Sequence, residues 1–228
     1  MKEAGGLNEM LSGDLDDSMN QASLGENVTL RTEESSSVLD VLGLNYAEGR
    51  YAIDKERFPH RVLVGSETFP SKIGMLWPMI IENAHVIGDF TWTGWDYLGE
   101  VGIGAVTYAE DEGAREALER EFPWLTAWCG DIDITGHRRP VSYYREVVFG
   151  LRTEPYIAVR RPERHGQTVA MASPWAWSDS VGSWTWPGFE GKPVTVEVYA
   201  NADEVRLLLD NDEIGRADVG DEKPRLAV

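Results

Sequence analysis

The 228-residue chain is 42% hydrophobic, enough for one large core or two modest ones. Its 39 acidic residues against 21 basic leave a formal net charge of −18. That balance excludes the basic faces a nucleic acid or an anionic membrane requires, and it suits a neutral ligand. Cys129 is the only cysteine, so no intramolecular disulfide can form, and His60, His85, His137 and His165 lack metal-ligand spacing. No apolar run reaches the roughly 20 residues that span a bilayer. Met1 to Gly6 has no apolar signal core, which together with the single cysteine favours a cytoplasmic location.

The stretch up to about Ser37 is polar and broken by Gly5-Gly6, Ser12-Gly13-Asp14 and Asp16-Asp17-Ser18, which predicts loops and short helices. Then three short apolar runs follow: Val38 to Tyr46, Arg61 to Glu67, and His85 to Trp92. Each has the form of a buried parallel strand. A short helix fits around Asp54 to Arg57, and Ile73, Met75, Leu76, Met79 and Ile80 recur at helical spacing between Ser71 and Asn83. Strands alternating with helices indicate βα units on a parallel sheet. Further helices are expected across Asp111 to Arg120 and from Pro140, which suits a first helical turn, to Phe149.

Beyond about Thr153 the period changes to two. Pro193 to Tyr199 alternates, Glu204 to Leu209 follows, and Asp210-Asn211-Asp212 is a turn before Glu213-Ile214-Gly215. These residues predict an antiparallel hairpin on a β-sandwich or similar module. The fold class is therefore α/β followed by all-β, with the division between Leu151 and Ser173, taken as residues 1–152 and 153–228.

All three apolar runs end in polar or aromatic residues: Asn45-Tyr46, Ser66-Glu67, and Trp92 to Asp96. In (β/α)8 barrels the active site is built at that end of the strands. An amide, a phenol, carboxylates and a flat aromatic face suit a carbohydrate, because carboxylates serve as nucleophile and acid/base while an aromatic face stacks on a sugar ring. Trp175, Trp177, Trp184 and Trp186 form two Trp-X-Trp pairs, whose alternation places both rings of a pair on one face of a strand and favours packing over sugar binding.

Gly65 to Pro70 resembles the nucleophile segment of glycoside hydrolase family 2, the family of β-galactosidases, β-glucuronidases and β-mannosidases. Gly88 to Glu100 resembles that family's eighth-strand segment, and Gly43-Leu44-Asn45-Tyr46 its sixth-strand end. Gly130 to Gly136, with Arg139-Pro140 and Tyr143-Tyr144, is similar to the stretch entering its last barrel helix, and Trp186 to Val205 to the start of the Ig-like module after the barrel. Five motifs fall in the family's order from about Val38 onward. The resemblance implies the last three βα units of a (β/α)8 TIM barrel joined to the beginning of an Ig-like β-sandwich.

It also implies roles: Glu67 as catalytic nucleophile, Asn45 on sugar hydroxyls, Tyr46 beside the carboxylate, Trp92 as pocket floor followed by a cis peptide, and Asp96 as a looser candidate for pocket polarity or strand-end hydrogen bonding. A terminal β-galactoside is the expected substrate, with no cofactor and no metal. A β-glucuronide or β-mannoside is the enzymatic alternative, and a non-catalytic carbohydrate-binding module using the tryptophans is the alternative from another class. A glucuronide needs a cation facing its carboxylate, and Arg50 is the nearby candidate. The family's acid/base is a Glu after Asn at the end of the fourth strand. Asn8-Glu9 matches the dipeptide but follows no apolar strand and is rejected. A full barrel takes roughly 250 residues and eight strands, so the rest of a parent chain is expected to complete it, and this chain alone is expected to be inert.

Overall fold

The computed structural model describes residues 15–111, 120–220 and 223–228. Two helices open it, α1 (Leu15–Ser23) and α2 (Glu26–Ser36). The three apolar runs then form β1 (Leu42–Asn45), β2 (Leu63–Thr68) and β3 (Val86–Thr91), connected by α3 (Arg50–Arg57) and α4 (Ile73–Glu82). They make one sheet of order β1-β2-β3, parallel throughout. β1 is shorter than its apolar run. Val38, Leu39 and Val41 are exposed ahead of it, and ladder pairing starts only where the Leu42 N–H reaches the Val62 carbonyl at 2.8 Å. Hydrophobicity extended the expected strand past the last backbone partner.

Leu63 and Val86 of the strands pack with Tyr51 of α3 and Leu76 and Ile80 of α4, a core between the sheet and its helices. Tyr51 approaches β2 so closely that only a glycine fits opposite. A Cβ on Gly65 would lie 2.6 Å from the Tyr51 hydroxyl oxygen, and Tyr51 is 1% exposed and has nowhere to move.

The short strand β4 (Val106–Tyr108) follows, and α5 (Pro140–Val148) starts on its proline as expected. The helix expected across Asp111 to Arg120 falls, apart from its two end residues, on residues 112–119, outside the described residues, as does Glu9. The remaining strands are β5 (Tyr156–Arg160), β6 (Val169–Ala172), β7 (Ser180–Val181), β8 (Val196–Tyr199), β9 (Glu204–Leu209), β10 (Asp212–Asp218) and β11 (Leu226–Ala227). β9 and β10 form the expected hairpin. Asp210 and Asn211 both have positive φ, 51° and 73°, the geometry of a two-residue turn that matches strand twist. β8 does not join that hairpin. It pairs antiparallel with β5 and β11 in a four-stranded sheet of order β11-β8-β5-β7. Val198, Ala200 and Ala227 from this part pack with Val205, Ala217 and Val219, so the sheet and the hairpin share an apolar layer.

The two halves are interlocked. β4 pairs antiparallel with β6. Ile73, Tyr144, Val147 and Val148 of α4 and α5 share a core with Tyr199 and Leu226, and the Tyr144 hydroxyl donates to the Pro224 carbonyl at 2.7 Å.

Replacing Gly65 with Ala should cost about 1–3 kcal/mol, the usual penalty for overpacking a filled core. The urea midpoint of the variant measures it, and an unchanged midpoint would mean that Tyr51 can withdraw.

Candidate active site

The parallel register sets Asn45 directly across from Glu67, and Thr68 across from Thr91. Backbone bonds continue past the strand ends: Tyr46 N–H donates to the Glu67 carbonyl at 2.8 Å, and Trp92 N–H to the Thr68 carbonyl at 2.9 Å. Asn45, Glu67 and Trp92 are thereby brought to one end of the sheet.

Glu67 is half-buried, and each carboxylate oxygen has its own donor. Asn45 Nδ2 donates to Oε2 at 2.9 Å and the Tyr46 hydroxyl to Oε1 at 2.5 Å. Each donor is held in turn. Ser66 Oγ donates to Asn45 Oδ1 at 2.8 Å, which fixes which way the amide points. Trp175 Nε1 donates to the Tyr46 oxygen at 2.8 Å, so that the phenol's own proton is directed at Glu67. Tyr46 stacks on Phe69 with ring centroids 4.1 Å apart, and Trp175 meets both rings edge-on. Burial first, and then the bond to Glu67, push the Tyr46 phenol far above its ordinary pKa, so it serves as a donor and not as an anion. Its φ of +50° is the left-handed region, uncommon for a bulky residue. The conformation turns the ring of the residue after β1 back over the end of β2.

Sequence pattern alone does not find Trp175, because strand alternation would put both rings of its Trp-X-Trp pair on one face. Residues 173–179 form no strand, and the two indoles diverge. Trp175 goes to Tyr46, while Trp177 donates to the Tyr199 hydroxyl at 2.8 Å in the core between the halves. Nothing local distinguishes the two; only the path of the chain does. In the second pair, Trp184 is 55% exposed and Trp186 donates to the Ser183 carbonyl. The four rings therefore do not act as one surface.

Trp92 is half-buried and precedes a cis peptide to Thr93, in agreement with the resemblance. Its Nε1 donates to the Tyr97 hydroxyl at 3.0 Å. Asp96 does not join the group. Its side chain is fully buried, bonded to Arg139 Nη2 at 2.7 Å and receiving the N–H groups of Trp128 and Gly130. It is a structural anchor for the loop after β3, so its candidacy for pocket polarity is corrected. Arg50 also turns away: it is 6% exposed, bonded to Thr29 and ion-paired with Asp54. A cation for a sugar carboxylate cannot come from there. Cys129 is a free, buried thiol, and among the described residues no cluster of His, Cys, Asp or Glu could hold a metal ion.

Two outcomes test these assignments. Asp96→Ala strands a mostly buried guanidinium and should cost about 3–5 kcal/mol, read from chemical denaturation; a change below about 1 kcal/mol would return Asp96 to the pocket candidates. Asp89 accepts from the Thr68 hydroxyl at 2.6 Å, yet burial raises its pKa above the ordinary value. The folded state therefore binds its proton more tightly than the unfolded chain, and stability falls as pH rises from the ordinary carboxylate range through the raised pKa. Asp89→Asn should flatten that part of the stability–pH curve, and an unaltered slope would count against it.

Comparison with known proteins extends the resemblance. A family model described as a domain of unknown function, DUF4982, matches residues 191–227. A Formosa agariphila protein named "Putative beta-glucuronidase" is 24% identical over 141 residues, covering 61% of this chain and 10% of that protein. A crystal structure of a glycosyl hydrolase family 2 member from Bacteroides cellulosilyticus is 33% identical with a TM-score of 0.72, covering 90% of this chain and 25% of that one. A second, from strain DSM 14838 of that species, is 30% identical with a TM-score of 0.64 over 90% of this chain and 24% of that one. The chain spans about a quarter of the length of these solved relatives. By sequence and by backbone alike, the chain is similar to members of glycoside hydrolase family 2.

Proposed function

We propose that this chain carries the nucleophile of a retaining glycoside hydrolase acting on terminal β-galactosides, with Glu67 as the attacking group. The observation behind this reading is the Glu67 carboxylate at a strand end with each oxygen on its own neutral donor, Asn45 and Tyr46. Such a group is pre-aimed, and its charge complements the positive character that develops at the anomeric carbon.

In the first step a Glu67 oxygen bonds to the anomeric carbon as the bond to the aglycone oxygen breaks, and that oxygen takes a proton from a general acid. In the second step water attacks the same carbon while the residue that acted as acid takes its proton, the bond from that carbon to Glu67 breaks and the carboxylate is regenerated, with net retention. Tyr46 keeps one Glu67 oxygen hydrogen-bonded and leaves the other to reach the sugar as Asn45 shifts to a hydroxyl. Trp92 forms the pocket floor. The acid/base carboxyl, which must lie about 5–5.5 Å from the nucleophile, is expected outside this segment, which spans about a quarter of the solved relatives. The same reasoning makes the parallel sheet the last three βα units of a (β/α)8 barrel within residues 1–152, and residues 153–228 a linker and the beginning of an Ig-like β-sandwich.

The galactosyl preference rests on the eighth-strand segment and the module after it. A β-glucuronide is the second reading, favoured by the name of the Formosa agariphila relative. The one cation expected for it from the sequence, Arg50, is engaged with Asp54.

The full-length protein should be treated with 2,4-dinitrophenyl 2-deoxy-2-fluoro-β-galactoside, whose leaving group needs little acid assistance. A covalent sugar adduct on the peptide containing Glu67, absent in Glu67→Gln, is the expected result. No adduct, or an adduct elsewhere, overturns the nucleophile, and faster labelling by the glucuronide analogue overturns the galactosyl preference. The isolated 228-residue chain should give no burst of aglycone from an activated aryl β-galactoside. A burst that Glu67→Gln abolishes would show that the chain suffices for the first step.

A further inference from the structure

The loop after β3 carries a second carboxylate back to Trp92. Gly99 and Glu100 have φ values of +112° and +42°, two successive left-handed residues. Glycine adopts such a conformation freely; a glutamate does so at a cost, and such outliers concentrate where side chains are aimed. Here the turn returns Glu100 to Tyr97, whose hydroxyl donates to Oε2. The same hydroxyl accepts the Trp92 Nε1–H at 3.0 Å, and the two rings meet edge-to-face with centroids 5.6 Å apart.

This arrangement repeats the one at the nucleophile. In each, an indole N–H is received by a phenol whose proton goes to a carboxylate: Trp175, Tyr46 and Glu67 in one, Trp92, Tyr97 and Glu100 in the other. The two chains of contacts meet at the sheet end, where the Trp92 backbone N–H donates to the carbonyl of Thr68, the residue after Glu67, at 2.9 Å. They differ in one respect. Both oxygens of Glu67 have protein donors, whereas Glu100 is exposed and, among the described residues, its Oε1 has none.

We infer that Glu100 is a sugar-recognition residue of this site, its Oε1 accepting a hydrogen bond from one hydroxyl of the glycoside that lies on Trp92. This rests on the reading of Glu67 as nucleophile and of Trp92 as pocket floor. A sugar seated flat on an indole presents its hydroxyls around the ring edge, within reach of a carboxylate held beside that indole. A charged acceptor makes a stronger bond to such a hydroxyl than a neutral one does. The tether through Tyr97 also fixes the indole and the acceptor relative to each other, so that the sugar is read for one hydroxyl position.

The test pairs substrate and protein changes in the full-length protein. Values of kcat/KM for a 2,4-dinitrophenyl β-galactoside and its 3-, 4- and 6-deoxy forms are measured for wild type and Glu100→Gln. The variant should lose about tenfold to a hundredfold on the parent sugar, and that loss should vanish for one deoxy sugar, the one missing the hydroxyl that Glu100 receives. Losses that persist undiminished on all three deoxy sugars overturn the inference, as does an unchanged kcat/KM for the parent. Should Glu100→Gln fold poorly, Tyr97→Phe serves: it cuts the tether but leaves the carboxylate, so the penalty for the same missing hydroxyl should shrink without disappearing. A penalty equal to wild type at every position then counts against the inference. The two readings separate cleanly. Failure of the fluorosugar to label Glu67 removes the glycosidase reading and this inference together, whereas labelled Glu67 with additive losses removes Glu100 alone.

Discussion

The hydroxyl of Tyr46 is the point on which the site depends. It has one proton, which goes to Glu67, and it receives the indole proton of Trp175 from a segment almost 130 residues later. Because the incoming N–H occupies the oxygen's acceptor side, the outgoing proton has one remaining direction. The donor to Glu67 is thereby oriented by a residue that never touches the carboxylate. The first half of the chain supplies the rest through β1 and β2: the register that sets Asn45 across from Glu67, and the left-handed turn at Tyr46 that brings its ring over Phe69. Preorganised donors of this sort cost no rearrangement when charge develops in a reaction.

The second half of the chain consequently does more than follow the first. It supplies Trp175 to the site, β6 to pair with β4, and Tyr199 and Leu226 to the core beneath α4 and α5. Buried carboxylates hold the loop after β3 as well: Asp96 pairs with Arg139, and Asp131 with Arg145 at 2.6 Å. In a chain with net charge −18, arginine is placed where acids are buried, because an uncompensated buried charge is far costlier than an exposed one. That explains why Arg50, conspicuous in sequence as a cation near the site, is committed to Asp54.

The strands, their parallel pairing and the group at their ends were legible because they depend on local pattern. Apolar runs of strand length bounded by helical spacing have few other ways to bury themselves, and strands joined by helices run parallel. The β9–β10 hairpin was legible for the same reason, from the turn at Asp210-Asn211-Asp212 after Glu204 to Leu209. Less legible were the limits of β1, set by the last available backbone partner and not by hydrophobicity, and the placement of β8, which joins β5 and β11 across long stretches of chain.

By itself, then, the amino-acid order determined which residues stand at the strand ends: Asn45, Tyr46, Glu67 and Trp92 follow from where apolar runs stop. Tertiary structure alone decided what surrounds them. Trp175 and Trp177 are two residues apart with the same side chain, yet one orients the donor to Glu67 and the other packs in the core. Asp96 and Glu100 lie in one loop, yet one is buried in an ion pair and the other keeps an oxygen open to solvent. The physical reason is the same in both cases. Secondary structure is chosen by neighbours along the chain, whereas the partner of a hydrogen bond or of a buried charge is chosen by what the folded path brings alongside it.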